Sequence, residues 1–139
     1  MNLRIRSTSM VIFALAGAAL LGTACSKDGP TPAVDAGNGL TISFRTLADP
    51  AQGDNKIESI VKQNGQPVTD ATVTVTFRMP AMPTMNMPEM HSTRPLTHDS
   101  EGRYVGTGQL EMTGTWNVSV VVTRGDTQLG SSRFTVVAK

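Results

Sequence analysis

Apolar and polar residues alternate with a period of two in three separate runs of the chain. The runs cover residues 40–45, 72–78 and 116–123, and each places large apolar side chains at every second position. Successive side chains of a β-strand point to opposite faces of the sheet. Each run therefore predicts a strand with one buried face and one solvated face.

Further apolar runs at residues 57–62, 103–110 and 132–137, with a weaker one around Leu96, bring the predicted strands to six or seven. The segments between them contain glycines that can adopt the positive φ angles of tight turns. These turn segments are residues 63–67, 99–102, 112–114 and 124–126. The spacing is typical of β-hairpins.

Short strands at regular intervals, without sustained helical periodicity, predict an all-β fold class. We expect an immunoglobulin-like antiparallel β-sandwich of about seven strands over residues 40–139, with a small open barrel as the alternative. Aromatic residues make up only 4% of the chain. The core is therefore expected to consist mostly of valine, isoleucine and leucine.

The first 24 residues have the organisation of an export signal. Arg4 and Arg6 precede an apolar run at residues 10–21, and small residues follow it. A helix that crosses a bilayer takes about 20 apolar residues, and this run is shorter, so a cleaved signal is favoured over a permanent span. Residues 1–24 are predicted to be a lipoprotein signal peptide.

Cys25 is the only cysteine of the chain and follows those small residues directly. Residues 21–25 resemble the lipobox of bacterial lipoproteins, in which the thiol is acylated and the cysteine becomes the new N-terminus. Leu21 stands one place earlier than in the common pattern. Lipidation also explains a thiol without a partner in an oxidising compartment. The alternative is ordinary signal cleavage beside an unpaired cysteine.

Residues 25–39 are rich in glycine, proline, aspartate and alanine and have little to bury. They are predicted to be a flexible linker between the lipid, such as palmitate on Cys25, and the domain. Ser26 stands where an aspartate would resemble an inner-membrane retention signal. We therefore expect an extracytoplasmic protein, held on the periplasmic side of the outer membrane in a Gram-negative organism.

Charge identifies no partner. Without Arg4 and Arg6, the 12 lysines and arginines fall to 10, against 11 aspartates and glutamates. Both signs are interspersed along the chain, and no basic stripe is present. A nucleic-acid partner is therefore not expected, and the predicted membrane contact is through the lipid.

Residues 79–91, here called the methionine segment, contain five methionines and three prolines. Among the residues after Cys25, Met112 is the only methionine outside it, so the methionines do not serve as general core filler. The prolines remove donors from any sheet ladder and predict an extended, polyproline-like loop or an irregular edge. Three residues per turn would align Met79, Met82 and Met85 on one face.

On that geometry Met87 and Met90 line a second face, with His91 beside them. Thioether sulfur is a soft, uncharged ligand that suits Cu(I), and imidazole is a borderline ligand that also accepts Cu(II). His98 is a further candidate imidazole. The predicted copper ligands are Met79, Met82, Met85, Met87, Met90 and His91.

Three interpretations of the segment stay open. It binds copper, or its flexible methionines cap one end of the sandwich, or an exposed methionine surface docks a partner protein. Trp116 is expected to be a buried anchor, with a cation-binding aromatic face as its alternative role.

Several short motifs follow one another in a fixed order around the methionine segment. They are Asp54-Asn55, Asn64-Gly65-Gln66-Pro67-Val68, Ala71 and Val73, Gly102-Arg103-Tyr104, and Met112-Thr113-Gly114-Thr115-Trp116. Over about residues 40–137 this order resembles the YtkA-like and FixH-like extracytoplasmic domains. The resemblance implies a small β-sandwich, often membrane-tethered. It also implies an association, in some members, with copper supply to haem-copper oxidases or with metal efflux.

The resemblance places the family's methionine segment on Met79, Met82, Met85, Met87 and Met90. FixH-type proteins carry a transmembrane helix where this chain has Cys25. This difference argues against a direct role of the chain in oxidase assembly.

Other motifs indicate no chemistry. Residues 124–126 spell Arg-Gly-Asp but are expected to form a hairpin turn. Residues 98–100 contain triad residue types, yet sequence neighbours on a turn cannot form the relay. No calcium-loop spacing is present, and we expect no enzyme. The predicted function is a tethered protein that buffers or delivers copper, with a copper-handling or other envelope protein as its expected partner; the alternative is a non-catalytic interaction or scaffolding module of the envelope.

Overall fold

A computed structural model of the protein describes residues 32–139, so the predicted signal peptide and Cys25 lie outside the described residues. No α-helix occurs between residues 32 and 139, and none of that stretch forms a helix long and apolar enough to span a bilayer. The strands are β1 (Val34–Asp35), β2 (Leu40–Thr46), β3 (Gly53–Gln63), β4 (Gln66–Pro67), β5 (Thr72–Met79), β6 (Met90–Ser100), β7 (Arg103–Leu110), β8 (Gly114–Arg124) and β9 (Thr127–Ala138).

The strands form two antiparallel layers that share one strand. β1, β2, β3, β4 and β7 make one layer, and β5, β8 and β9 make the other. β6 pairs with β5 from Met90 to Leu96 and with β7 from Thr97 onwards, so it passes from one layer to the other. A register shift between His98 and Ser100 marks a bulge in the second stretch, and bulges bend a strand.

The predicted all-β sandwich is confirmed, and residues 32–139 contain seven strands of seven or more residues and two strands of two residues. Because β6 is continuous, the hydrogen-bonded order runs β1-β2-β3-β7-β6-β5-β8-β9 without a break, which gives the sandwich a barrel-like character. The weak strand expected around Leu96 is the longer strand β6. Pro95 is tolerated in it because β6 has only one paired neighbour at that position.

The two ends of this strand order approach each other. A Cβ atom placed on Gly130 of β9 would lie 2.8 Å from Cδ2 of Leu40 and 2.9 Å from the Ala36 carbonyl oxygen. The rings of Phe44 on β2 and Phe134 on β9 lie 5.7 Å apart across the same gap. The absence of a side chain at Gly130 therefore lets β9 approach β2 and the turn before it closely.

The core lies between the two layers and follows the alternation of the sequence. Most of the long strands contribute every second side chain to it, whereas in β6 only Leu96 is buried. Its largest apolar members that are almost fully buried are Trp116, Tyr104, Phe77, Leu40, Ile42, Ile57, Leu110, Val61, Val73, Val75 and Val118. Aliphatic residues form most of the core, as expected from the low aromatic content.

Gly108 on β7 makes room for the ring of Phe77 from the opposite layer. A Cβ atom on Gly108 would lie 2.5 Å from two atoms of that ring. The missing side chain lets the two layers pack closely at this point.

Tyr104 ties the connection between β4 and β5 to β7. Its buried hydroxyl donates a hydrogen bond of 2.8 Å to the Val68 carbonyl and accepts one of 3.4 Å from the Ala71 amide. Burial raises the pKa of Tyr104, since the charged phenolate would lose its hydration there. The Gly-x-Tyr motif at residues 102–104 is therefore a structural one.

The domain begins earlier than predicted. Val34 and Asp35 pair with Ile42 and Thr41 as strand β1, and Ala36 packs against the core. Residues 34–39 were expected to belong to the flexible linker, and that boundary is wrong. Three residues with positive φ, at positions 37–39, turn the chain back into β2. Turn-forming composition resembles linker composition, so the sequence did not distinguish them.

An ion network lies on the outer face of the first layer. The Glu58 carboxylate is only 2% exposed; it accepts a 2.8 Å hydrogen bond from Arg45 Nε and another from Arg103 Nε. Arg103 also bonds Asp99 at 2.5 Å. Burial raises the pKa of Glu58, but the hydrogen bonds and charges of the two arginines outweigh it and hold the pKa below its ordinary value.

Replacing Gly108 with alanine should destabilise the fold by about 2 kcal/mol, because the new methyl group overpacks the core against Phe77. Urea denaturation of the purified protein measures this free energy of unfolding. Thr107→Ala, on the exposed face of the same strand, is the matched control and should cost less than about 1 kcal/mol. Equal losses in both variants would contradict the packing argument.

Glu58→Gln should lower the free energy of unfolding at pH 7 by on the order of 2 kcal/mol, because a charged hydrogen-bond acceptor is lost. The pKa of Glu58 is lowered in the folded state. The contribution of the Glu58 carboxylate to the free energy of unfolding is therefore fully present above pH 4.5, the ordinary pKa of the group. It is lost as the pH falls through the lower pKa of the folded state. The gap between variant and parent should narrow accordingly in denaturation curves recorded at decreasing pH. Glu111→Gln, at an exposed position, is the control. A gap that stays constant across this pH range would refute the argument.

Candidate functional site

The methionine segment is the connection between β5 and β6 at one end of the sandwich. The register of the two strands places Met79 opposite Met90 and Arg78 opposite His91. Register partners in an antiparallel pair project to the same face of the sheet. Met79 and Met90 therefore form a cross-strand pair on the inner face.

A second methionine pair follows beyond the ends of the strands. Met82 and Met87 form an isolated antiparallel bridge, in which each amide donates to the other residue's carbonyl, at 2.9 and 3.1 Å. Residues 82–87, here called the tip, thus form a small hairpin of their own. The bridge places the side chains of Met82 and Met87 next to each other.

A single 3₁₀ turn, Pro83–Met85, closes the tip. The Met85 amide donates to the Met82 carbonyl at 3.0 Å, and the Asn86 amide donates to the Pro83 carbonyl at 3.1 Å. Asn86 has a φ of 51°, a left-handed conformation that asparagine tolerates better than most residues. The polyproline-like geometry predicted for these residues is wrong, because the turn folds the chain back on itself.

The five methionines differ in their exposure. Met79 is 3% exposed and belongs to the core, where its methyl group lies 3.1 Å from the position of a Cβ atom on Gly114. Met82 and Met90 are half-buried and pack against the core, and Met87 is half-buried. Met85 is 60% exposed. The exposure of the methionines therefore ranges from buried at Met79 to largely exposed at Met85 in the tip.

His91 lies on the other face of the segment. It follows Met90 directly in β6, so the pleat turns its side chain outward, where Arg78 is its cross-strand neighbour. Glu89 forms an ion pair of 2.6 Å with Arg78. The hydrogen bond from Arg78 lowers the pKa of Glu89; desolvation opposes this, and the charges of Arg78 and His91 reinforce it. The outer face of the segment is thus occupied by charged and ionisable groups.

The other candidates lie away from the methionines. His98 is seven residues further along β6 than His91, which corresponds to roughly 20 Å at the rise of a strand. The centroid of its ring lies 5.1 Å from that of the Tyr104 ring. Trp116 is fully buried, and its indole N–H donates to the Met112 carbonyl at 3.0 Å. The buried-anchor role expected for Trp116 is confirmed. Its alternative role, as an accessible face for a cation, is wrong.

The remaining motifs stay structural. Gly125 and Asp126 form the turn between β8 and β9, and Arg124 pairs with Asp70 at 2.6 Å. The Arg-Gly-Asp sequence is a hairpin turn, as expected. Across residues 32–139, no group of three or more histidines, aspartates and glutamates is arranged to hold a metal ion. Methionine is not among these residue types, and its thioether sulfur is a separate class of donor.

The sequence showed that the segment is rich in methionine, but it did not predict how the residues of the segment pair with one another across the hairpin. Residues 90–95 include Pro95 and show little alternation, so β6 was expected only around Leu96. The available signals were Asn86, which favours a left-handed turn, and the strand ending near Arg78, which needs an antiparallel partner.

Comparison with known protein families identifies a match. A model of the family described as YtkA-like matches residues 35–121, more than half of the chain. The matched range begins in β1, includes the methionine segment and ends within β8. No curated protein and no solved structure matches the chain.

Proposed function

The chain belongs to the YtkA-like family, and from that premise we propose that it is a membrane-tethered, extracytoplasmic protein that binds copper in the methionine segment and buffers or delivers it. The observation that carries the proposal is the gathering of five thioethers in one hairpin, four of them in two cross-strand pairs. Thioethers are soft ligands that suit Cu(I) and are not consumed by disulfide formation in an oxidising compartment.

The order of the tip supports this function. Backbone hydrogen bonds hold the Met82–Met87 bridge and the turn within it, so the sulfurs do not have to be gathered from a flexible loop. A site that is organised before the ion arrives loses less conformational entropy on binding. The exposed Met85 gives the ion a way in and out, which suits a protein that passes copper on.

The tether is the second part of the proposal. Lipidation of Cys25 would leave residues 26–33 between the lipid and β1, a chain that reaches at most about 30 Å when fully extended. The domain would then stay close to the membrane surface, on the periplasmic side of the outer membrane in a Gram-negative organism. Copper-handling proteins of the envelope are the partners that this position brings within reach.

A second candidate function is a non-catalytic interaction or scaffolding module of the envelope. The observation that favours it is the packing of Met79, Met82 and Met90 against the core, which is what a structural cap does. In this case Met85 and Met87 provide an adaptable surface for a protein partner. The two candidates differ in whether the purified protein takes up copper.

Titration of the purified protein with Cu(I), in competition with a chromophoric chelator, distinguishes them. The parent is expected to withdraw copper from the chelator. A variant with Met82, Met85 and Met87 replaced by leucine and His91 by alanine should lose most of that affinity, because it lacks the accessible donors. Met112→Leu, a half-buried methionine outside the segment, is the control and should behave as the parent does. No withdrawal of copper by the parent would end the copper proposal and leave the interaction module.

Cys25→Ser tests the tether. Expressed in a bacterium with a lipoprotein pathway, the parent should incorporate labelled palmitate and sediment with membranes. The serine variant should do neither, because it lacks the thiol that is acylated. Ser26→Ala, at the neighbouring position, is the control for altered export. Membrane association that persists in Cys25→Ser without palmitate would show that the chain is held in some other way.

A further inference from the structure

We propose that the tip is a site for one monovalent soft ion, Cu(I) or Ag(I), bound by Met82, Met85 and Met87 alone, and that His91, Met79 and Met90 take no part. This inference rests on the proposed copper function and narrows it. It assigns the ligands, the oxidation state and the stoichiometry of the site.

The bridge supplies two of the three ligands. Met82 and Met87 exchange both backbone hydrogen bonds, so they are a hydrogen-bonded pair with Cα atoms about 5.5 Å apart and side chains on one face. Each side chain has three rotatable bonds and a sulfur near its end. Two such side chains, starting from neighbouring positions, can place their sulfurs on opposite sides of one ion.

Met85 supplies the third ligand. It lies within the turn that joins the paired residues, and its amide is bonded to the Met82 carbonyl at 3.0 Å. Because its side chain is 60% exposed, it can change rotamer without breaking a packing contact in the core. Three thioethers from six consecutive residues can therefore surround one ion.

The other two methionines belong to the fold. Met79 is buried against Gly114, so moving its sulfur towards the tip would leave a void in the core. Met90 is its cross-strand partner at the start of β6, below the tip, and packs against the same core. Met82 also packs against the core, but its backbone pairs with Met87 within the tip. Met79 and Met90 lie opposite each other where β5 ends and β6 begins, next to the tip, and they anchor the tip to the core.

His91 is excluded by the pleat. Its side chain projects to the face opposite Met90, where Arg78 and Glu89 form an ion pair. The imidazole and the Met90 sulfur therefore lie on opposite faces of the strand. The tip therefore offers sulfur without imidazole, a donor set that favours monovalent copper and silver over Cu(II) and Zn(II), which are bound well by imidazole and carboxylate.

The test uses the purified protein with ¹³C-labelled methionine methyl groups, titrated with Ag(I) as a redox-inert probe and then with Cu(I). Single Met→Leu variants assign the resonances, and leucine keeps the volume of the side chain. The methyl signals of Met82, Met85 and Met87 should move together and stop moving at one equivalent of ion. Those of Met79, Met90 and Met112 should stay in place.

The Ag(I) affinities of single variants, each compared with that of the parent, test the ligands one at a time. Met82→Leu and Met87→Leu should each weaken Ag(I) binding roughly tenfold or more, and Met85→Leu should weaken it as well. Met90→Leu and His91→Ala should bind as the parent does, and methyl spectra of the other residues show that each variant is folded. Cu(II), followed by electron paramagnetic resonance, should not be bound at the tip.

The outcomes separate this inference from the proposed function. Binding of Cu(I) that is lost in His91→Ala, or that moves the Met79 and Met90 signals, overturns the ligand assignment and leaves the copper function standing. Tight binding of Cu(II) at the tip overturns the selectivity. A protein that takes up neither Ag(I) nor Cu(I) ends both proposals.

Discussion

The pairing of one strand with two partners holds the rest of this structure in place. β6 pairs with β5 in one layer and then with β7 in the other, so the two layers are joined by hydrogen bonds as well as by their packed faces. The bulge between His98 and Ser100 lies in the stretch that pairs with β7. Because the methionine segment connects β5 to β6, its position at one end of the sandwich follows from the same pairing. A different partner for residues 90–96 would separate the methionines that now lie opposite each other.

The pleat of that strand pair also sorts the donors by chemical type. Met79 and Met90 face the core, whereas Arg78 and His91 face solvent, and Glu89 adds a carboxylate near that outer side. Soft donors and ionisable donors are therefore kept apart although they are neighbours in sequence. Segregation of this kind explains why a segment that contains five methionines and a histidine need not form a mixed site. It also leaves the tip, residues 82–87, without imidazole or carboxylate groups.

The fold was largely predictable, and the candidate site was predictable in composition alone. Alternation at residues 40–45, 72–78 and 116–123 reports burial directly, since the period of a strand is two. The same rule fails at residues 90–95, where β6 is an edge strand of its layer, contains Pro95 and buries few side chains. Strand β1 and the turn after it, residues 34–39, were not predicted for a related reason. Their buried contacts are few, and their turn residues resemble those of a linker.

The sequence by itself determined the all-β class, most of the core, the role of Trp116 as an anchor, and the concentration of thioethers between residues 79 and 91. These features depend on local periodicity and composition, which act over a few residues. Only the tertiary structure decided that Phe77 packs over Gly108, that Glu58 lies between two arginines, and that Met82 faces Met87 while His91 turns away. Such features depend on strand register, and register is set by the packing of distant strands against one another.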